Sequence, residues 1–284
     1  MPDTWNMPKI DGLLAVYETG DDTLSPVDGS ADDAEQRARA QQTLALWQIA
    51  RQIPGAAMMI LKTPQRVSLG LANGGLIVEG RVTMNLGLVR AATRKLPAQT
   101  VEPAPLTAQK PGWTPFQTTL WNILTRLDGT YLPRTFSIDI GGAMTRLSAS
   151  GGTVLFLDGE TTPEGLVAAL RRASEAGAPV SYALAEHDDG QEGPRFTAVD
   201  ILRAATGSAA DAVVDFDATG WPMACPAETD FQMMATLSAL AVGLVSAGGD
   251  GAPALTVLSA ENAQILSAKG EGENRIRFSL TRAS

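Results

Sequence analysis

Residues 135–157 read TFSIDIGGAMTRLSASGGTVLFL, and this stretch decides the predicted fold. It contains three runs with strand-like composition, at 136–140, 143–148 and 153–157, which are separated by two Gly-Gly pairs. Glycine pairs permit the backbone angles that tight hairpin turns need. The stretch therefore predicts three consecutive β-strands joined by short turns.

The residues after this stretch alternate between helix and strand patterns. Thr162-Pro163 is typical of a helix start, and Thr197 with Asp200 forms a capping box before another helix. A long apolar run at 230–247 predicts a further helix, and three terminal strands follow. The order βββαβαβα followed by βββ predicts a mixed α+β or α/β fold, in which helices cover a mixed, partly parallel sheet.

The composition along the chain predicts two units and a connection. Residues 1–96 form a smaller α+β N-terminal unit, with an amphipathic helix over 31–53 followed by a strand hairpin. Residues 97–113 are rich in proline and read as a linker or an extended strap. Residues 114–284 form a C-terminal mixed α/β unit that ends in a three-stranded meander.

The chain has few of the side chains that proteins use for chemistry near neutral pH. It contains one histidine, His187, and one cysteine, Cys225, among 284 residues. An ordinary zinc site of Cys and His ligands from one chain is therefore excluded, and so is an internal disulfide. The first residues lack the pattern of a secretion signal, so the sequence predicts a cytoplasmic protein.

The run from Phe231 to Gly249 has no charged residue and approaches the length that spans a bilayer. Polar residues within the run and the lack of a flanking basic cluster favour a buried core helix instead.

Charge is segregated along the sequence although the net charge is −9. Residues 1–35 hold nine acids and one base, whereas residues 36–96 hold nine bases and one acid, Glu79. The basic segment is predicted to pair with acidic regions of the fold or of a second copy. The alternative is an anion or nucleic-acid surface, but Trp47 is the one aromatic residue in the segment, which disfavours nucleic acid. Its candidate residues are Arg37, Arg39, Arg51, Arg66, Arg81, Arg90, Arg94 and Lys95.

The best candidate site is the turn that contains Asp139, Gly141 and Gly142. A carboxylate at a strand end, followed by two glycines, can bring backbone amides and an acid close to phosphates and their Mg²⁺. The turn resembles the first phosphate loop of the sugar-kinase and actin-like ATPases. That resemblance implies that Asp139 approaches the metal and the glycines approach the phosphates, with Asp217 in an imitation of the second loop.

The sequence also departs from that family. Ala143 stands where those ATPases usually carry a hydroxyl, and too few residues follow position 247 to form a second lobe. The Asp139 turn can equally be a simple hairpin turn, so the sequence does not assign the chain to the family.

His187 and Cys225 each permit two interpretations. His187 lies in an acidic loop, which suits a general base or an exposed turn residue. Cys225 precedes a predicted helix, which suits a reactive thiol or a small half-buried apolar residue.

Two functions follow from these observations. The favoured function is that of a non-enzymatic binding, assembly or regulatory protein, which contacts a protein partner or a second copy and needs no cofactor. The alternative is a nucleotide- or phosphate-binding protein that uses Asp139, Gly141, Gly142 and Asp217 with a magnesium nucleotide. Neither a nucleic-acid nor a membrane partner is favoured.

Overall fold

The computed structural model describes most of the chain. The described residues are 9–20, 23–27, 29–30, 33–97, 112–130, 132–185, 192–209, 213–226, 229–248, 253–259, 264–270 and 275–282. Of the predicted strap, residues 98–111 lie outside the described residues, and so does His187.

The helices begin where the sequence places capping residues. The helices of the described residues are α1 Ala34–Ala50, α2 Leu86–Thr93, α3 Pro115–Asp128, α4 Pro163–Glu175, α5 Ala198–Thr206 and α6 Phe231–Gly248. Thr114 and Gln117 form a reciprocal capping box at the start of α3. The capping box predicted from Thr197 and Asp200 is confirmed at the start of α5.

Several strands are joined by short turns. The strands of the described residues are β1 Leu13–Thr19, β2 Leu24–Pro26, β3 Ala56–Lys62, β4 Arg66–Leu71, β5 Leu76–Arg81, β6 Arg134–Ile140, β7 Ala143–Ser150, β8 Thr153–Asp158, β9 Val180–Ala185, β10 Arg195–Thr197, β11 Ser208–Ala209, β12 Val213–Asp217, β13 Cys225–Pro226, β14 Ala254–Ser259, β15 Gln264–Gly270 and β16 Arg275–Arg282. The three strands predicted from 135–157 are confirmed as β6, β7 and β8.

The chain divides into two compact units. Unit 1 comprises residues 1–106, 215–220 and 235–284, and unit 2 comprises residues 107–214 and 221–234. The divisions fall within β12 and within α6, so each of these elements contributes residues to both units.

Unit 1 is built on a nine-stranded sheet with the order β12-β16-β15-β14-β3-β4-β5-β1-β2. Its centre is the antiparallel pairing of β14 with β3, in which Leu255 lies opposite Leu61 and Val257 lies opposite Met59. The pairing joins the terminal meander, β14 to β16, to the strands of the N-terminal part of the chain.

Helix α1 packs on one face of this sheet at very short range. The Trp47 ring lies against Gly70 of β4, where an added Cβ would be 2.5 Å from the ring atom Cγ. Gly243 of α6 meets Leu46 of α1 equally closely, since a Cβ there would be 2.5 Å from Leu46 Cδ2. The contact at Gly70 requires the smallest side chain, because the bulky ring would have to move, whereas at Gly243 the end of the flexible Leu46 side chain could shift.

A buried polar network lies between α1 and the sheet. The carboxylate of Glu79, which is 2% exposed, accepts hydrogen bonds from the hydroxyls of Thr43 at 2.8 Å and Ser68 at 2.6 Å. Arg66 Nη1 lies 3.5 Å from the same carboxylate, and Arg66 Nη2 donates to Gln42 at 2.9 Å. Burial raises the pKa of Glu79, although the two hydroxyls and Arg66 oppose the shift.

The opposite face of the central strands is apolar and is packed against α2. Val89 of α2 is buried, together with Met84, which precedes this helix. The strand residues of this cluster are Val16, Met58, Val67, Leu69, Leu71, Leu76 and Val78.

Unit 2 is built on a five-stranded sheet with the order β10-β8-β7-β6-β9. Its strands carry the candidate turn, because Asp139 of β6 lies opposite Met144 of β7 on one side and Ser181 of β9 on the other. Helix α3 brings Trp121 to an aromatic cluster in which Trp113 and Trp221 meet edge to face with ring centroids 5.0 Å apart. Phe231 packs 5.0 Å from Trp121.

The prediction of a partly parallel sheet in the C-terminal unit is wrong. The registers established within the two large sheets are antiparallel, and β11 pairs with β13 in a parallel contact of two residues. Helix α4 connects β8 to β9, but β7 and β6 lie between these two strands in the sheet. Alternation of helix and strand therefore did not produce a parallel crossover, since the sequence fixes neither strand direction nor strand neighbours.

Helix α6 is long and apolar enough to cross a membrane by length and composition. In unit 1 its residues make protein contacts instead: Ser238 donates a hydrogen bond to the Gly220 carbonyl, and the Ser246 carbonyl accepts one from Gln42. Leu240, Ala241 and Leu244 are fully buried. The buried share of this 18-residue span is 44%.

Substitution of Gly70 by Ala is expected to lower the free energy of unfolding by about 1–3 kcal/mol, because the new methyl group collides with the Trp47 ring. Urea denaturation measures this change. The double variant Gly70→Ala, Trp47→Leu should lose less than the sum of the single losses, because the smaller residue makes room. Strict additivity would show that the contact is not tight.

Glu79 makes the stability of unit 1 depend on pH in a defined direction. Its pKa is higher in the folded than in the unfolded chain, so the folded state holds the proton more tightly. The contribution of this group to stability is therefore greatest below the unfolded pKa and falls as pH rises towards the folded pKa. The free energy of unfolding of wild type minus that of Glu79→Gln should decrease with pH above about 4.5. Chemical denaturation at several pH values measures this difference in unfolding free energy, and the exposed Glu18→Gln serves as the control. A difference that stays constant or rises with pH would contradict a raised pKa of Glu79.

Candidate functional site

The candidate turn is a two-residue hairpin connection whose backbone donors are already in use. Gly141 and Gly142 have φ angles of 61° and 92°, a left-handed conformation that favours glycine. The Gly142 amide donates to Asp139 Oδ1 at 2.7 Å, and the Gly141 amide donates to the Pro179 carbonyl at 2.9 Å. A phosphate at this turn would find both amides occupied and a carboxylate beside it.

A cavity of about 430 Å³ adjoins the turn within unit 2. It is lined by Gly141, Ala143 and Thr145 on one side and by Glu160 and Arg172 on the other. The charged atoms of Glu160 and Arg172 lie 3.5 Å apart. Since these two lining charges oppose each other, the cavity presents no net charge that would select an anion or a metal ion.

Asp217, the second predicted phosphate residue, also stabilises its own turn. Its Oδ1 accepts hydrogen bonds from the Thr219 amide at 2.9 Å and from the Thr219 hydroxyl at 2.7 Å. The Gly220 amide donates to the Asp217 carbonyl at 3.0 Å. Asp217 belongs to unit 1 and the Asp139 turn to unit 2, and each has a local structural role within its unit.

Cys225 lies in β13 and is fully buried. Burial raises the pKa of its thiol to about 11, and the charges of Arg203 and Asp200 shift it by smaller, opposing amounts. A thiol with this pKa is protonated at neutral pH and is a poor nucleophile. The interpretation of Cys225 as a small apolar residue therefore fits its surroundings better than that of a reactive thiol.

The acids of the described residues offer no metal site. No group of three or more His, Cys, Asp or Glu side chains that could hold a metal occurs in that part of the chain. One carboxylate pair interacts: burial, followed by the charge of Asp230, raises the pKa of Asp128. Asp230 accepts a hydrogen bond from the Met233 amide at 2.6 Å near the start of α6, which is the position of a helix cap.

The basic residues of 36–96 are divided among different environments. Arg66 is buried and forms an ion pair with Glu79, and Arg39 forms an ion pair with Glu35 on α1. Arg90 and Arg94 are exposed on α2. One continuous basic face is therefore not formed by the whole set.

The outer edge of β9 is the most open protein-binding feature of unit 2. Strand β9 ends the five-stranded sheet, so the backbone groups along its far side have no strand partner among the described residues. Residues 181–184 are all exposed, including Tyr182 at 38% and Leu184 at 66%. The sequence predicted this strand but not its place at an edge, because strand order depends on contacts that are distant in the chain.

The other described sheet edges carry features that discourage strand addition. Strand β2 has three residues and ends in Pro26, and β10 has three residues and begins with Arg195. Strand β12 contains Asp215 and Asp217. Strand β9, with the sequence VSYALA, has six residues and neither a charge nor a proline. Charges, prolines and short length protect edge strands from pairing with another strand, and β9 has none of these features.

The side chains of β9 are also partly fixed in place. The guanidinium carbon of Arg126, on α3, lies 4.3 Å from the centre of the Tyr182 ring. This cation–π contact holds the exposed aromatic ring in position at the sheet edge. The edge therefore offers an exposed aromatic side chain beside backbone groups that pair with no described strand.

No protein-family model matches this chain, and searches of curated proteins and of solved structures found no match either. The function of the chain is therefore inferred from its own residues and their contacts.

Asp139 is expected to act on stability through the turn. Replacement by Ala removes the acceptor of the Gly142 amide and should lower the free energy of unfolding by about 0.5–1 kcal/mol. Replacement by Asn retains an oxygen acceptor and should cost less, and chemical denaturation compares the two variants. A thermal shift of wild type with ATP and Mg²⁺ that Asp139→Ala abolishes would contradict this structural role and support the nucleotide alternative.

Proposed function

We propose that this chain is a non-enzymatic assembly protein that associates with a second copy of itself by adding strand to strand at β9. The observation that carries the proposal is the exposed, uncharged and proline-free edge of this strand. Strand addition at a sheet edge gives affinity through main-chain hydrogen bonds and specificity through alternate side chains. A cytoplasmic location is part of the same proposal.

The sequence of β9 suits an antiparallel pairing with itself. When the two-fold axis passes through Ala183, Tyr182 of one copy lies opposite Leu184 of the other, and this pair occurs twice. Ser181 then lies opposite Ala185, so no like charges meet along the strand. Aromatic–aliphatic pairs across strands contribute about 0.2–1 kcal/mol each, so the expected association is weak and reversible.

The non-enzymatic part of the proposal is supported by the surroundings of the candidate chemical groups. Asp139 and Asp217 are used by their own turns, and Cys225 is buried with a raised pKa. The one histidine, His187, lies outside the described residues. An assembly role needs none of these groups to react.

Leu184→Lys should weaken self-association, because it places a charge opposite Tyr182 of the second copy twice per dimer. Sedimentation velocity over a series of concentrations measures the monomer–dimer equilibrium. Leu132→Lys is the matched control, since Leu132 is exposed at 68% but lies outside β9. Added salt should strengthen the wild-type dimer by screening the charge of −9 on each copy.

A charge pair tests the register itself. Tyr182→Glu alone should also weaken the dimer, whereas the double variant Tyr182→Glu, Leu184→Lys should recover association, because each Glu then faces a Lys of the other copy. A wild-type chain that remains monomeric at every concentration would overturn the proposal. Equal effects of Leu132→Lys and Leu184→Lys would place the contact elsewhere.

A further inference from the structure

A second cavity, of about 620 Å³, lies in unit 1 between α2 and the ends of the central strands β3, β4 and β14. Gly87, Arg90 and Ala91 of α2, with Arg94 at its C-cap, line one wall. These positions follow the i, i+3, i+4, i+7 spacing of one helix face. The adjacent face of α2, with Val89 and Thr93, is buried towards the core.

The floor of the cavity is a row of apolar side chains on adjacent strands. Met58 of β3 lies directly opposite Leu71 of β4 on one side and Leu258 of β14 on the other. Residues opposite each other in an antiparallel pair share a face of the sheet, so the three side chains form a continuous apolar surface. Met58 and Leu71 are buried, and Leu258 is half-buried.

The rim of the cavity is cationic, and none of its lining residues is an acid. Arg90 and Arg94 are exposed and form no ion pair with any described residue. Glu79, the one acid in residues 36–96, points to the other face of the sheet, where it is buried with Arg66. Within the part of the chain that the structure describes, the charges of Arg90 and Arg94 are therefore not offset by an ion pair.

The arginines are also the main hydrogen-bond donors at the cavity. The Thr93 hydroxyl donates to the Val89 carbonyl at 3.0 Å, and the Ser259 hydroxyl donates to the Pro54 carbonyl at 2.8 Å. These two hydroxyl hydrogens are therefore committed to the backbone. A ligand would meet the guanidinium groups of Arg90 and Arg94 and the side-chain amide of Asn73, beside an apolar floor.

We infer that this cavity binds a small amphiphilic anion. Arg90 and Arg94 hold its carboxylate, sulfonate or phosphate group, and its apolar part lies on Met58, Leu71 and Leu258. The guanidinium group suits such anions because its donors match the geometry of paired oxygens. The volume lies within the range of small-molecule sites, which is about 300–1,000 Å³. The inference does not depend on the assembly function, since the cavity and β9 belong to different units.

The test uses the full chain and the fluorescent sulfonate 8-anilinonaphthalene-1-sulfonate as the probe. Arg90→Gln, Arg94→Gln together should weaken probe binding roughly tenfold or more, because two charge-assisted hydrogen bonds are lost. Lys95→Gln is the matched control, because Lys95 is the next cation on the helix but does not line the cavity. It should leave the affinity unchanged. Circular dichroism melting checks that the variants remain folded.

A second variant tests the apolar part without removing charge. Ala91→Trp fills the mouth of the cavity and should abolish probe binding while both arginines remain. Decanoate should compete with the probe, and inorganic phosphate alone should compete much less, because it lacks an apolar part. Unchanged affinity in the double arginine variant would overturn the inference. Equal losses in Lys95→Gln would also overturn it, because they would indicate a diffuse basic surface, such as one that binds nucleic acid.

Discussion

The antiparallel pairing of β14 with β3 is the interaction on which unit 1 depends. It joins the terminal meander to the N-terminal hairpins, so both ends of the chain contribute to one sheet. The register also decides which face each side chain occupies, since a slip of one residue would turn Leu255 and Val257 away from the buried face. The close contact of Gly243 with Leu46 shows that α6 reaches the same part of the core as α1.

The buried network around Glu79 determines where α1 packs on the nine-stranded sheet. An ion pair that is removed from water adds little net stability, because desolvation offsets the attraction between the charges. Its geometry is nevertheless demanding: the carboxylate needs Thr43 from α1 and Ser68 from β4 at the same time. A helix shifted by one turn would leave a buried acceptor without a partner, which costs about 1–3 kcal/mol. The network therefore fixes where α1 lies on the sheet.

Local signals in the sequence predicted the local structure correctly, as the Gly-Gly turns of β6 to β8 and the capping box at Thr197 show. Strand direction and strand order could not be predicted, because they depend on pairings such as β9 with β6 that no local pattern encodes. The candidate site likewise could not be judged from local sequence alone. Asp139 and its glycines are together as predicted, but hydrogen bonds to Asp139 and Pro179 occupy the amides, and only the three-dimensional structure could show this.

The local charge of each proposed surface agrees with the ligand or partner proposed for it. Glu79 is buried with Arg66, so Arg90 and Arg94, at the C-terminal end of α2, are exposed and form no ion pair with a described acid. That surface suits a small anion. Two copies of a chain with a charge of −9 repel each other overall, and a locally neutral surface adds no further repulsion where they meet. Strand β9 meets this condition, since it is the described sheet edge without a charged side chain that also exposes an ordered aromatic ring for contact.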